Sequence, residues 1–188
     1  MLQDRRGFLS FSSSTFAALW LAGPADEVRA ALAHASGAAR TGAAWEFLTP
    51  EQAADVEAIT SQILPSEPGS PGAREAGVVF FVDRGLATWA QDQREPFAKG
   101  LDELNAEVAK RWPGTARFAG LSGERQIELL KAREKTDFFG IMRTVTMLGT
   151  FGNPSYGGNR ENLGWKLIGF QDQYAWQPPF GDYDAGVR

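Results

Sequence analysis

The sequence predicts a mostly α-helical fold: about five helices in a single domain, followed by a long loop region rich in glycine and aromatic residues. Three observations carry this. Apolar residues recur at helical spacing in successive segments, each with its own start or stop signal. No Gly-x-Gly-x-x-Gly follows a β-like run, and nothing reads as a parallel sheet. Beyond Gly149 the glycines come too often for a long helix.

The elements follow in order. Residues 35–44 are rich in Ala and Gly, and order is expected to begin near Trp45. Thr49-Pro50-Glu51-Gln52 is a helix start, with Thr49 as N-cap, Pro50 in the first turn and Gln52 at the capping-box position. Val56, Ile59, Ile63 and Leu64 continue at helical spacing until Pro65. Residues 66–72 form a Pro/Gly/Ser loop. A second helix is expected over 73–89. Its Val78-Val79-Phe80-Phe81-Val82 run is strand-like alone, but Ala73-Arg74-Glu75-Ala76 and Leu86-Ala87 favour a helix. A third spans 96–112 with Phe97, Leu101, Leu104, Val108 and Trp112 on one face, stopped by Pro113-Gly114. Ser122 caps a fourth bearing Ile127 and Leu130. A fifth covers 136–148 with Phe138, Phe139, Ile141, Met142, Val145 and Met147. Residues 149–188 then read as a tail of loops carrying Trp165, Phe170, Tyr174, Trp176, Phe180 and Tyr183.

Composition narrows the chemistry. The 188 residues carry 19 basic and 23 acidic side chains, a formal charge of −4, with no Lys/Arg run. Nucleic-acid binding needs a basic face and is not expected. The chain has no cysteine, which removes thiolate nucleophiles, disulfides and Cys-based metal sites. Its one histidine, His34, lies in an Ala-rich stretch, so a histidine-based metal or acid–base site is not expected.

The N-terminus reads as an address. Asp4-Arg5-Arg6-Gly7-Phe8-Leu9-Ser10 fits a twin-arginine export motif, and residues 8–23 are a mildly apolar run diluted by serines. That run is shorter than the ~20 apolar residues of a membrane-spanning helix. Residues 1–35 are therefore expected to be a signal region built on Arg5 and Arg6, and 36–188 a single helical domain, exported to the periplasm.

The most specific segment is Phe138-Phe139-Gly140-Ile141-Met142-Arg143 through Gly149-Thr150-Phe151-Gly152-Asn153-Pro154-Ser155-Tyr156-Gly157-Gly158-Asn159, followed by Gly164-Trp165. With Leu48-Thr49, Pro65, Gly72-Ala73-Arg74-Glu75-Ala76-Gly77-Val78 and Phe81-Val82-Asp83-Arg84, it resembles the gluconate 2-dehydrogenase subunit 3 family across residues 46–174. The resemblance implies a division of labour. A large flavoprotein of the glucose–methanol–choline type would hold FAD and the catalytic residues and oxidise gluconate, glucose or a glucoside. A cytochrome c or similar acceptor would take the electrons. The small subunit would carry the export signal and stabilise its partner, with no cofactor and no catalytic residue of its own.

The residues themselves leave several roles open. The Gly-rich turn lacks the Lys-Ser/Thr of a phosphate loop, so its glycines serve geometry. It either closes this domain's own core or packs against the flavoprotein. Arg143 either caps carbonyls of that turn or meets a partner carboxylate. Tyr156, Asn159, Arg160 and Trp165 suit a partner interface or a sugar ring, the interface being favoured. Asn153 belongs to the same turn, and Trp176 and Phe180 sit in an apolar, Pro-rich stretch expected to lie along the partner. Asp83-Arg84 reads as a buried ion pair. Two rivals remain: a free-standing periplasmic carbohydrate-binding protein using Trp165 and Tyr156, and a hydrolase using Asp83, Glu75 or Asp137.

Overall fold

The structure is a computed structural model that describes residues 45–173 and 175. The signal region with Arg5 and Arg6, and the tail residues Trp176 and Phe180, lie outside the described residues. Within them the fold is all-α, with six α-helices and short 3₁₀ turns.

Helix α1 (Pro50–Ile63) starts as its sequence demands. Thr49 Oγ1 accepts from the Gln52 N–H at 3.2 Å, and Gln52 Oε1 accepts from the Thr49 N–H at 3.0 Å. Two donors left open by the first turn are thereby satisfied. Helix α2 (Val78–Ala87) begins five residues later than the expected start at 73. Residues 73–77 are turns, and Gly77 at φ +70° holds a left-handed conformation that keeps the helix from extending backwards. Val78, Val79, Phe81, Val82, Asp83, Arg84, Gly85 and Leu86 are all buried, so α2 is enclosed on nearly every side. That enclosure suits its Val78–Val82 run, which is apolar throughout and looks strand-like.

Helix α3 (Arg94–Arg111) follows a 3₁₀ turn at Gln91–Gln93 and starts two residues early. Arg94 explains the start. Its Nε and Nη2 donate to the carbonyls of Leu86 and Ala87 at 2.7 and 3.0 Å, closing the end of α2. Helix α4 (Gly123–Ala132) begins after Ser122, whose side chain makes no capping bond, contrary to expectation. Its phase also differs. Ile127 is exposed, while Leu129 and Leu130 are buried beside Gln126. Gln126 is drawn inward because its amide donates to the Phe118 and Leu121 carbonyls and accepts from Gln62.

Helix α5 (Asp137–Phe151) is capped by Thr136, whose hydroxyl accepts from the Phe139 N–H. Phe138, Ile141, Met142 and Val145 enter the core; Met147, expected with them, is 46% exposed. The helix runs through Gly149 to Phe151, past the expected stop. The tail then coils into 3₁₀ turns at Pro154–Tyr156 and Arg160–Asn162 and a sixth short helix, α6 (Leu163–Leu167).

Helix α2 packs against both α1 and α5, α3 packs on α5, and α4 packs on α1. One polar knot locks this assembly. Asp55 of α1 is fully buried and accepts from Asn105 of α3 at 2.9 Å, from the Ala119 N–H at 2.9 Å and from Arg117 at 2.6 Å. Such a charge is tolerable inside only because its oxygens are paired.

Candidate functional site

The candidate residues converge on the end of α5. A helix leaves its last carbonyls without intrahelical partners. Here the downstream turn supplies them. The Asn159 N–H donates to the Gly149 carbonyl at 2.6 Å, Asn159 Nδ2 to the Gly152 carbonyl at 2.8 Å, and Trp165 Nε1 to the Phe151 carbonyl at 2.8 Å. Asn159 Oδ1 in turn accepts from the Gly164 N–H at 2.8 Å. Asn159 is buried and sits at φ 44°, ψ 44°. Glu161 and Asn162 are also left-handed, so three non-glycine residues in a row of four hold this strained conformation. A Cβ at position 158 would lie 2.1 Å from the Gly149 carbonyl oxygen, so only glycine allows this approach.

The rest of the turn is tied to α2. The Arg160 N–H donates to the Ala76 carbonyl at 3.0 Å, and its guanidinium lies 3.7 Å from the centre of the Phe80 ring. The Phe80 ring also stacks on Trp45 at 5.1 Å. Burial lowers the Arg160 pKa from its ordinary value, because desolvation penalises the charged form. Tyr156 meets Trp89 edge-on at 5.6 Å. Asn153 is exposed, and its Oδ1 accepts from the N–H and the hydroxyl of Ser155.

The turn therefore closes this chain's own core. The N–H groups of Gly157, Asn159 and Arg160 each donate to carbonyls of this chain, so they form no cradle for a dinucleotide phosphate. Arg143 does not cap the turn, as one reading held. It is exposed on α5 and makes no hydrogen bond or ion pair among the described residues.

Asp83 and Arg84 are both buried but do not pair with each other, correcting the sequence reading. Asp83 accepts the N–H groups of Glu46, Phe47 and Leu48 at 2.8–3.0 Å, and Arg84 pairs with Glu46 at 2.7 Å. Adjacent positions on α2 thus pin the segment entering α1. Glu75 accepts from the Ser66 hydroxyl and the Gly72 N–H, which hold its carboxyl below the usual glutamate range. Asp137 is exposed in the first turn of α5. These three carboxylates hold backbone or begin a helix and do not share a site. Among the described residues no group of three or more Asp, Glu or His is placed to hold a metal ion, and no helix is long and apolar enough to cross a membrane.

A family profile described as Gluconate 2-dehydrogenase subunit 3 matches residues 50–172. The chain belongs to that family. The match spans α1 to α6, so the turn that closes α5 is part of the shared subunit 3 region. No curated protein and no solved structure matched the chain. What sequence reasoning missed in this subunit 3 chain is the apolar exposure beside the turn: Met147, Leu167, Ile168 and Phe170. A signal existed for part of it, since Leu167 and Ile168 stand between Gly164 and Gly169, too close together for a long helical run to bury them.

Proposed function

We propose that this chain is the small, non-catalytic subunit of a periplasmic FAD-dependent sugar or sugar-acid dehydrogenase. It carries the twin-arginine export signal for the complex and stabilises the catalytic flavoprotein. The single observation behind this reading is the subunit 3 match over residues 50–172.

Two further features support it. The acidic residues with the strongest claim to chemistry have structural duties: Asp83 holds three backbone N–H groups and Glu75 holds a loop. The Arg5-Arg6 pair suits a route that exports folded proteins, and a flavoprotein acquires its cofactor before it leaves the cytoplasm. FAD, the substrate contacts and the catalytic base then belong to the glucose–methanol–choline-type partner, and a cytochrome c takes the electrons.

Expression of the catalytic subunit with and without this chain tests the proposal. The pair gives periplasmic dehydrogenase activity, and this chain alone gives none. A catalytic subunit equally active and equally exported without it refutes the reading. Saturable sugar binding by the lone chain would instead favour a carbohydrate-binding protein.

A further inference from the structure

The segment that joins residues 1–44 to α1 is held at every residue. Residues 46–48 are bends and belong to no helix. A backbone outside helix and sheet must find other partners for its N–H groups. Here one carboxylate supplies them: Asp83 Oδ2 accepts from Glu46, and Asp83 Oδ1 accepts from Phe47 and Leu48. The side chains are tied as well. Trp45 stacks on Phe80 at 5.1 Å, Glu46 pairs with Arg84 at 2.7 Å, and the Phe47 ring centre lies 4.8 Å from the Arg94 guanidinium carbon. Leu48 enters the core. The polar and aromatic anchors all lie on α2 or on the arginine that closes its end.

Asp83 and Arg84 are each only 5% exposed. Lifting residues 45–48 away would leave a buried carboxylate and a buried guanidinium without these partners. Partial release is therefore costly, and the strap docks as a unit. The turn after α5 grips the same helix through the same ring. The Arg160 N–H donates to the Ala76 carbonyl at 3.0 Å, and its guanidinium carbon lies 3.7 Å from the Phe80 ring centre. The Arg160 side chain runs so close to Gly77 that a Cβ there would lie 2.6 Å from its Cδ and Nε. Asn159, the preceding residue, caps α5 at the Gly149 carbonyl. Phe80, in the first turn of α2, thus touches the strap through Trp45 and the α5 cap through Arg160.

We propose that residues 45–48 and the turn at 157–163 form one cooperative latch with Phe80 as its shared contact. The two dock together and open together. Release of the strap through which residues 1–44 enter the domain therefore uncaps α5, more than 100 residues downstream. The latch stands on contacts within this chain and holds whether or not the subunit reading does.

Native-state hydrogen exchange on the full-length wild-type chain tests this without any variant. In sub-denaturing urea the amides of residues 46–48, Asn159 and Arg160 keep opening constants within about threefold of one another. They also open at least about tenfold more often than amides 127–130 of α4. Separate constants for strap and turn, or opening only together with α4, overturn the latch. A double-mutant cycle then places the coupling at the shared ring. Independent sites multiply their effects on the unfolding constant. The Trp45→Ala/Arg160→Ala double variant is instead less destabilised than that product by at least about threefold. Trp45→Ala alone speeds exchange of the Arg160 amide at least about tenfold, while amides 127–130 stay within about twofold of wild type. Effects that multiply, or an Arg160 amide that keeps its wild-type exchange, overturn the proposal. A rise spread equally over α4 does so too, because it reports general destabilisation.

Discussion

The backbone N–H of Asn159 donates to the carbonyl of Gly149 across 2.6 Å, so the turn after α5 caps the helix that precedes it. The Asn159 side chain completes the closure by bridging the Gly152 carbonyl and the Gly164 N–H. Asn159→Ala leaves the buried Gly164 N–H and the half-buried Gly152 carbonyl without this partner and costs about 3 kcal/mol of stability, measured as a lower urea midpoint. An unchanged midpoint would show that water replaces the amide.

Gly158 lies against the same carbonyl. Gly158→Ala pushes the turn off α5 and costs about 2 kcal/mol, because the obstructing atom is backbone and does not swing away. The Trp165 fluorescence spectrum shifts as the indole loses its bond to Phe151.

Asp83 holds the entry to α1 through three N–H groups. Asp83→Ala frees residues 46–48 and destabilises the fold by about 3 kcal/mol. Hydrogen exchange localises the effect, with amides 46–48 losing protection while α3 retains it.

Glu75 gives a pH signature. Its folded pKa lies below the ordinary glutamate value of 4.5, through the Ser66 hydroxyl first and the Gly72 N–H second. The contribution is fully present above that ordinary value and is lost as pH falls through the lower folded pKa. Glu75→Gln therefore flattens the acid side of the stability curve and leaves the neutral side little changed. Glu75 is exposed, so the effect is small. An acid limb identical to wild type contradicts the assignment.

The export proposal makes its own prediction. Replacing Arg5 and Arg6 together by Lys leaves dehydrogenase activity in the cytoplasm, because the signal serves the partner as well as this chain. Activity reaching the periplasm undiminished would separate the two functions.

How far the sequence could be read depended on how local each cause was. The Thr49–Gln52 box was legible because donor and acceptor lie within one helical turn. The late start of α2 was not, because it is decided by the left-handed backbone at Gly77 inside a segment of good helix formers. The extension of α5 to Phe151 escaped because its carbonyls are satisfied from positions 159 and 165, after an intervening turn. Asp83 and Arg84 were recognised as buried, but their partners sit 35–38 residues upstream. Asp55, Asn105 and Arg117 gave no local signal at all, since three separate elements bring them together. Met147 was misplaced for a different reason. Hydropathy marks it as core, and only the position of its helical stripe leaves it outside. The Asn-Pro-x-Tyr-Gly-Gly-Asn motif was legible as a motif, and its structural duty emerged only with the carbonyls it meets.

Co-purification from one cell tests the central claim most directly. A tag on this chain alone, with the catalytic subunit untagged, brings down a flavin-containing complex of fixed stoichiometry that oxidises a sugar or sugar acid. A stable monomer of this chain that carries no flavoprotein, beside a catalytic subunit fully active on its own, contradicts the account.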